Sequence, residues 1–199
     1  GRMRQMTYPD GEVLTYGYDN GGLLKEAYGA KRGNKYPYVK SLIYDEYGQR
    51  TAITYGNNVK TEYAYDPTTR RLSRLFSVEP TKGRTIQDIS YQYDLVGNIL
   101  GTNNKASVPQ GGELGGPTEQ AFSYDDLYQL KTANGYHVPA PGKRTQYTNS
   151  FDYDIIGNIT RKFQQHLIIT SGGSSTEPRE TNYDMTYLYK GAQPHAVTD

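Results

Sequence analysis

The stretch SYQYDLVGNIL at residues 90–100 decides the fold of this chain. Its two rings, Tyr91 and Tyr93, are two residues apart and therefore point to the same face of a β-strand. Asp94 and Gly97 have the spacing of a type I turn, in which Asp accepts a hydrogen bond from the turn backbone and Gly adopts a positive φ. Apolar residues then resume a strand. The stretch predicts a β-hairpin anchored by a pair of rings.

The pattern occurs six times, each with a ring or Leu two positions before a Tyr-Asp pair. The copies, with the glycine three residues after Asp where there is one, are Tyr18 and Asp19 with Gly22, Tyr44 and Asp45 with Gly48, Tyr65 and Asp66, Tyr93 and Asp94 with Gly97, Tyr124 and Asp125, and Tyr153 and Asp154 with Gly157. Successive Asp residues are 26, 21, 28, 31 and 29 positions apart, a spacing typical of repeats that pack against one another. The sequence predicts that these residues are the structural motif of a repeat protein.

Two copies depart from the pattern. The turn at Asp66 has Pro67 but no glycine, and the turn at Asp125 has Tyr128 in the glycine position. We expect these two turns to be longer or differently shaped. A last half-copy keeps the rings Tyr187 and Tyr189 without the Asp.

No stretch shows a sustained helical period, so we expect helix to be nearly absent. Short alternating strands joined by turns predict an all-β fold, in which antiparallel hairpin repeats form a twisted, coiled strip of β-sheet. Three segments rich in Gly, Pro, Ser and Thr, at 103–120, 134–149 and 170–181, are predicted to be flexible exposed loops or frayed hairpin tips.

The composition fits a thin sheet better than a thick core. The chain has 21 Tyr among 199 residues, no Trp and a mean hydropathy of −0.82. A Tyr ring can be buried while its hydroxyl stays hydrated, so it suits a sheet with solvent on both faces. Lys and Arg number 22 against 21 acids, which does not favour nucleic acid as a partner.

The sequence contains no Cys, and no segment reaches the roughly 20 apolar residues that a membrane span needs. Residues 1–12 lack the apolar core of a signal peptide, and the segment from Tyr8 to Gly11 already has the composition of a turn. We therefore expect residues 1–199 to be an array of six to seven repeats from a longer protein, with any signal upstream.

The pattern Y-x-Y-D-x-x-G-N-I, with YGNNV at 55–59 leading into Tyr65 and Asp66, resembles the Rhs family of YD-repeat proteins over essentially the whole chain. The segment QPHAV at 193–197 is similar to the one that, in bacterial Rhs proteins, leads into a conserved core upstream of a variable C-terminal toxin. The resemblance implies a sheet that spirals into a hollow shell, as in bacterial Rhs toxins, the B and C components of Tc toxins, and teneurins.

The resemblance also implies a partner and a location. The partner would be a toxin or effector polypeptide of the same parent chain, enclosed by the shell, and the protein would be secreted or at the bacterial cell surface. The self-cleaving core and the toxin would lie beyond Asp199. The leading hypothesis is therefore a non-enzymatic structural segment, and the alternative is a cell-surface carbohydrate-binding module that uses exposed tyrosines.

Signals for chemistry are weak by comparison. Asp152 and Asp154 lie two apart, as a glycosidase pair could, but turn capping by Asp154 explains the pattern better and makes a hydrolase the third hypothesis. The three histidines are isolated, so we predict no metal site and no cofactor. An excised strip would have two free strand edges, so a dimer formed through edge strands is a further hypothesis.

Overall fold

The computed structural model describes residues 1–111, 113–176 and 181–198, with the side chain of residue 176 excluded. Every regular element in these ranges is a β-strand, which confirms the all-β prediction. The strands are β1 (Gln5–Thr7), β2 (Val13–Tyr18), β3 (Leu24–Lys31), β4 (Asn34–Tyr44), β5 (Arg50–Tyr55), β6 (Lys60–Tyr65), β7 (Leu72–Glu79), β8 (Arg84–Tyr93), β9 (Ile99–Asn104), β10 (Thr118–Tyr124), β11 (Leu130–Ala140), β12 (Lys143–Tyr153), β13 (Ile159–Thr170), β14 (Gly173–Thr176) and β15 (Tyr183–Thr186).

The strand order follows the chain, from β1 to β14, in one open sheet. The pairing is antiparallel, as short turns between consecutive strands require. The strand β13 is long enough to pair with two short strands: its Leu167–Thr170 segment pairs with β14 and its Arg161–Gln164 segment pairs with β15. The expected meander of hairpins is therefore present.

The chain divides into two compact units, Gly1–Asp88 and Ile89–Asp199. The first unit contains β1 to β7 and the beginning of β8. The second contains the end of β8 and the strands that follow it. The Asp turns at Asp19, Asp45 and Asp66 belong to the first unit, and those at Asp94, Asp125 and Asp154 belong to the second.

Burial in the sheet is shallow, and facing residues of neighbouring strands share it. In the first unit, Ile53 lies opposite Thr61, which lies opposite Ser77, and all three are buried. Opposite residues of an antiparallel pair share a face, and Tyr63 and Tyr65 follow Thr61 on that face. No large side chain of the described residues is fully buried. The rings of the repeat motif therefore pack among small residues, in a single layer.

The structure corrects the prediction for residues 134–149. This segment is not a flexible loop: it forms most of the hairpin between β11 and β12, and only Pro141 and Gly142 lie between the two strands. Its Gly and Pro residues misled the prediction because long, regular pairing with β10 and β13 on either side imposes the extended conformation.

The other two predicted loops are shorter than expected. Within 103–120, strands β9 and β10 take the two ends, and residues 105–111 and 113–117 form the connection. Within 170–181, Gly173–Thr176 forms β14, and residues 177–180 lie outside the described residues. Cross-strand partners again extend the strands into sequences of weak β-propensity.

Candidate functional site

The Asp turns are the most regular feature of the structure, and the sixth copy shows their chemistry. The amide of Asp154 donates to the carbonyl of Asn158 (2.9 Å), and the amide of Gly157 donates back to the carbonyl of Asp154 (3.1 Å). The Asp154 carboxylate accepts from the amides of Ile156 and Asn158 through Oδ1 (3.0 and 2.9 Å), and from the Asn158 side-chain amide through Oδ2. Gly157 has a φ of +88°. A type I turn with a left-handed residue in fourth position results.

The hairpin closure is shared by all six copies. The Asp amide donates to the carbonyl four residues later in five of them, from Asp19, Asp45, Asp94, Asp125 and Asp154. The turn at Asp66 is one residue longer, since its amide donates to Arg71, and Arg70 takes the left-handed position with a φ of 59°. The prediction of a longer turn is confirmed for Asp66.

The expectation of a different shape was wrong for Asp125. Its turn has the same hydrogen bonds as the glycine-containing turns, because Tyr128 itself adopts a φ of 63°. The Asp125 carboxylate accepts from the amides of Leu127 and Gln129 (both 2.9 Å). The Asp side chain therefore holds the turn even where a bulky residue has to occupy the left-handed region.

Four of the turn carboxylates have a lowered pKa. For Asp45, Asp94 and Asp154, burial disfavours the charged form, but hydrogen bonds from turn amides outweigh it. For Asp66, the amide and hydroxyl of Thr69 lower the pKa most strongly. All four carboxylates are ionised in ordinary solution and act as acceptors within the turn.

The second Tyr of the motif makes a contact that the sequence did not reveal. Its hydroxyl donates to a backbone carbonyl of the preceding repeat, at 2.7 to 2.9 Å. The pairs are Tyr18 with Met3, Tyr44 with Leu24, Tyr65 with Arg50, Tyr124 with Ile99, Tyr153 with Leu130, and Tyr189 with Ile159. In all but the first pair, the acceptor lies five residues after the Asp of the preceding turn, where the next strand begins.

These contacts explain why the motif is Tyr-Asp. In the copies whose Tyr makes this contact, Asp closes its own hairpin and Tyr ties that hairpin to the residues before it, so the pair specifies both local structure and contact with a neighbour. Tyr189 makes this contact although its copy has Lys190 in place of Asp. The sequence signal for these contacts is the constant spacing, in residues, between each Asp and the residue at which the next strand begins.

Arg70 is the centre of a polar cluster in the first unit. Its guanidinium pairs with the Asp45 carboxylate and lies over the Tyr47 ring, 4.1 Å from the ring centre. Its carbonyl accepts from the side-chain amide of Gln49 (2.9 Å). The turns at Asp45 and Asp66 are therefore joined by a side chain as well as by the Tyr65 hydroxyl.

A second cluster lies at the start of the chain. Tyr36 and Tyr38 both donate to one carboxylate oxygen of Glu12, at 2.8 and 2.6 Å, and this raises the pKa of both phenols. Tyr8 and Tyr38 line a cavity of about 440 Å³ together with the carboxylates of Asp10 and Glu12. The sequence alone did not predict that these residues lie close together, because their proximity depends on the pairing of β1 to β4.

The structure gives no support to a carboxylate pair at Asp152 and Asp154. Asp152 is an exposed strand residue opposite Arg161, whereas Asp154 is engaged by turn donors that lower its pKa. A general acid needs a raised pKa instead. Among residues 1–111, 113–176 and 181–198, no three His, Cys, Asp or Glu side chains lie close enough together to hold a metal ion.

His195 has a specific partner. Its Nδ1 lies 2.7 Å from Oδ1 of Asn158, and the Asn158 side-chain amide also donates to the Pro194 carbonyl (2.8 Å). Asn158 is buried. The QPHAV segment is therefore docked on the sixth Asp turn. Of the part of the chain that the structure describes, no helix is long and apolar enough to cross a membrane.

Comparison with known proteins places this architecture among toxin subunits. The chain is 32% identical over 171 residues to the toxin subunit YenC1 of Yersinia entomophaga, and 32% identical over 155 residues to YenC2 of the same organism. These alignments cover 75% and 66% of this chain, and 18% and 16% of the relatives. No family model matches the chain.

Solved structures agree with this result over nearly the whole chain. The TcdB2-TccC3-Cdc42 crystal structure gives a TM-score of 0.77 at 28% identity, covering 97% of this chain and 9% of its own. The Photorhabdus luminescens Tc holotoxin pore gives 0.74 at 29% identity, covering 94% of this chain and 9% of its own. The fold and the repeated motif define a YD-repeat sheet. The chain belongs to the Rhs family of YD-repeat proteins, as the resemblance indicated, and spans less than a fifth of the relatives it matches.

Proposed function

We propose that this chain is a non-enzymatic wall segment of a YD-repeat shell that encloses a toxin or effector polypeptide of the same parent protein. The observation that carries the proposal is the likeness to TcdB2-TccC3 complexes over 94 to 98% of the chain. One of these complexes is described as lacking a hypervariable C-terminal region, which is the kind of polypeptide that the wall would enclose. A secreted or surface location is part of the same proposal.

The structure of the repeat supports a role in building a wall. The Tyr and Asp of the motif hold its own turn and contact the neighbouring repeat, as at Tyr153 and Asp154. The carboxylates of Asp45, Asp66, Asp94 and Asp154 have lowered rather than raised pKa values. Such a sheet grows by adding hairpins and needs no second layer of its own, so an enclosed chain can lie against it.

The test uses the complete gene product in which this chain lies. Limited proteolysis of that protein should leave the region after residue 199 uncut under conditions that digest the same region expressed alone. A variant in a turn of the first unit, Gly48→Val, places a β-branched residue at a φ of +76° far along the chain from that region, and it should make the region sensitive. A gene product that ends shortly after residue 199, or a following region cut equally fast in both proteins, would contradict the proposal.

The cavity at Tyr8 and Tyr38 favours carbohydrate binding as a second candidate. Both rings are partly exposed, at 40% and 46%, beside the carboxylates of Asp10 and Glu12. Sugar rings stack on such rings, and carboxylates accept their hydroxyl hydrogens. Calorimetric titration with a panel of oligosaccharides tests it: binding that Tyr38→Ala abolishes, and that Tyr187→Ala leaves unchanged, would support this candidate. No heat with any sugar would remove it.

A further inference from the structure

The dipeptide Asn-Gly occurs twice in the sequence, at Asn20-Gly21 and at Asn134-Gly135. The glycine of such a pair has no Cβ to keep its backbone nitrogen away from the Asn side chain, so this nitrogen can attack the side-chain carbonyl carbon. Both Asn residues are exposed. Since the two pairs share chemistry and exposure, their backbone conformations decide which of them reacts.

The first pair occupies the two central positions of the turn at Asp19. The hydrogen bonds that close this turn join its ends: the Asp19 amide donates to the Leu23 carbonyl (2.9 Å), and the Gly22 amide donates to the Asp19 carbonyl (3.0 Å). Within the part of the chain that the structure describes, neither the Asn20 side chain nor the Gly21 amide has a hydrogen-bond partner. Two consecutive glycines also leave the backbone free to rotate here.

The free amide of Gly21 distinguishes this turn from others of the repeat. The equivalent amides of Tyr47, Leu127 and Ile156 donate to the Asp carboxylate of their own turns at 2.9 to 3.0 Å. Such a bond fixes the orientation of the peptide nitrogen. The carboxylate of Asp19 instead accepts from the amide of Leu23 (2.8 Å), so the nitrogen of Gly21 can turn toward the Asn20 side chain.

The second pair lies within a strand that is paired on both sides. Asn134, in β11, lies opposite Ala121 of β10 and Thr148 of β12. A Cβ placed on Gly135 would lie 2.6 Å from the Glu119 carbonyl oxygen, so the backbone is closely confined. The nitrogen of Gly135 cannot approach the Asn134 side chain unless the two ladders open locally.

We propose that Asn20 is a site of spontaneous deamidation and that the sheet protects Asn134. The Gly21 nitrogen loses its proton and forms a bond to Cγ of Asn20, while the bond from Cγ to the side-chain nitrogen breaks and ammonia leaves. The product is a five-membered succinimide. Water then opens this ring at either carbonyl and gives aspartate or isoaspartate, so one water is consumed for each ammonia released.

The isoaspartate product changes the geometry of the turn. Its backbone runs through the former side chain and is one carbon longer, whereas the bond from the Asp19 amide to the Leu23 carbonyl requires a turn of fixed length. Either product also places a second carboxylate beside Asp19. The reaction therefore weakens closure of the hairpin between β2 and β3 as the protein ages.

Peptide mapping by mass spectrometry tests the proposal on the complete gene product in which this chain lies. After incubation at mildly alkaline pH, conversion appears as a gain of one mass unit, and a protein isoaspartate methyltransferase quantifies the isoaspartate. Asn20 should react at least about tenfold faster than Asn134, which corresponds to a modest cost of local opening in the sheet.

Gly21→Ala is the matched control. Gly21 does not have a positive φ, and the nearest atom to an added Cβ is Oδ1 of Asp19 at 3.5 Å, so alanine fits the turn. The variant should slow the reaction at Asn20 severalfold and leave that at Asn134 unchanged. An equal rate at Asn20 in this variant would mean that attack by the following nitrogen is not the route.

Unfolding in urea separates the fold from the local sequence. The two sites should then react at similar rates, because the ladders that hold Asn134 are lost. Equal rates in the folded protein would overturn the proposal, as would faster conversion of Asn134. An Asn20 that reacts only after unfolding would also overturn it and would indicate that other parts of the parent chain hold this turn.

Discussion

The two units build the same turn and use its centre differently. In the first unit the turn centres are mostly polar, and Arg70 joins the turns at Asp45 and Asp66 through its guanidinium. In the second unit the turn centres are apolar and exposed at Leu95 and Ile155. The comparison shows that Asp, the left-handed residue and Tyr carry the fold, while the residues between Asp and the left-handed residue vary from polar to apolar.

The largest effect should come from the left-handed position. Gly157→Val places a β-branched residue at a φ of +88°, with its Cβ 2.9 Å from the Gln129 amide nitrogen. We expect a loss of about 2–4 kcal/mol in the free energy of unfolding, measured with urea. Tyr128→Gly, at a φ of 63°, should stay within about 1 kcal/mol of wild type. Equal losses at both positions would show that the left-handed backbone is not the cause of the loss at Gly157.

Acid should be the next most effective way to weaken both units. The folded pKa values of Asp45, Asp66, Asp94 and Asp154 lie below the ordinary value of 3.8. The folded state therefore prefers the charged form, and this stabilisation is complete above pH 3.8 and disappears as the pH falls toward the lower folded values. Urea midpoints measured from pH 5 to pH 2 should fall, and Asp154→Asn should flatten the fall. A midpoint independent of pH would contradict the assignment.

Removing a hydroxyl from the motif should have a moderate effect. Tyr153→Phe leaves the ring in place and removes the 2.8 Å hydrogen bond to the Leu130 carbonyl, so we expect a loss of about 1 kcal/mol. Tyr28→Phe is a control, since that hydroxyl donates to the Glu26 carboxylate of the same strand (3.3 Å) rather than to another repeat. An unchanged unfolding free energy for Tyr153→Phe would show that the contact between repeats does not stabilise the sheet.

Arg70→Ala tests what is particular to the first unit. The variant loses the pair with Asp45 and the contact with the Tyr47 ring, and should lower the melting temperature by about 2–4 °C. Because the pair is partly solvent-exposed, added salt should reduce the difference from wild type. A difference that salt does not change would point to packing rather than charge.

The smallest effect on stability should come from the exposed apolar residues at the turns of the second unit. Ile155→Asn replaces a side chain that is 98% exposed, so the free energy of unfolding should change by less than about 0.5 kcal/mol. Urea unfolding at low protein concentration, where copies are apart, measures it. A large loss would mean that Ile155 stabilises its own unit and would weaken the contrast between the two sets of turns.

Several local features followed from sequence, because their causes lie within a few residues. The Asp-to-Gly spacing predicted the turns at Asp19, Asp45, Asp94 and Asp154, and the two-residue spacing of rings predicted a shared face. Residues 134–149 did not follow, because pairing with neighbouring strands determines their conformation. The shape of the turn at Asp125 was also not predicted from sequence, because hydrogen bonds to the Asp carboxylate offset the cost of a left-handed Tyr128.

The sequence by itself determined the all-β class, the repeat and most of its turns, since each depends on local backbone preferences and on short-range hydrogen bonds. Only the tertiary structure decided which carbonyl receives each Tyr hydroxyl, as with Tyr153 and Leu130, and which apolar residues stay exposed, as with Ile155. The Tyr contacts join residues 15 to 30 positions apart in the chain, and strand pairing has to bring them together first.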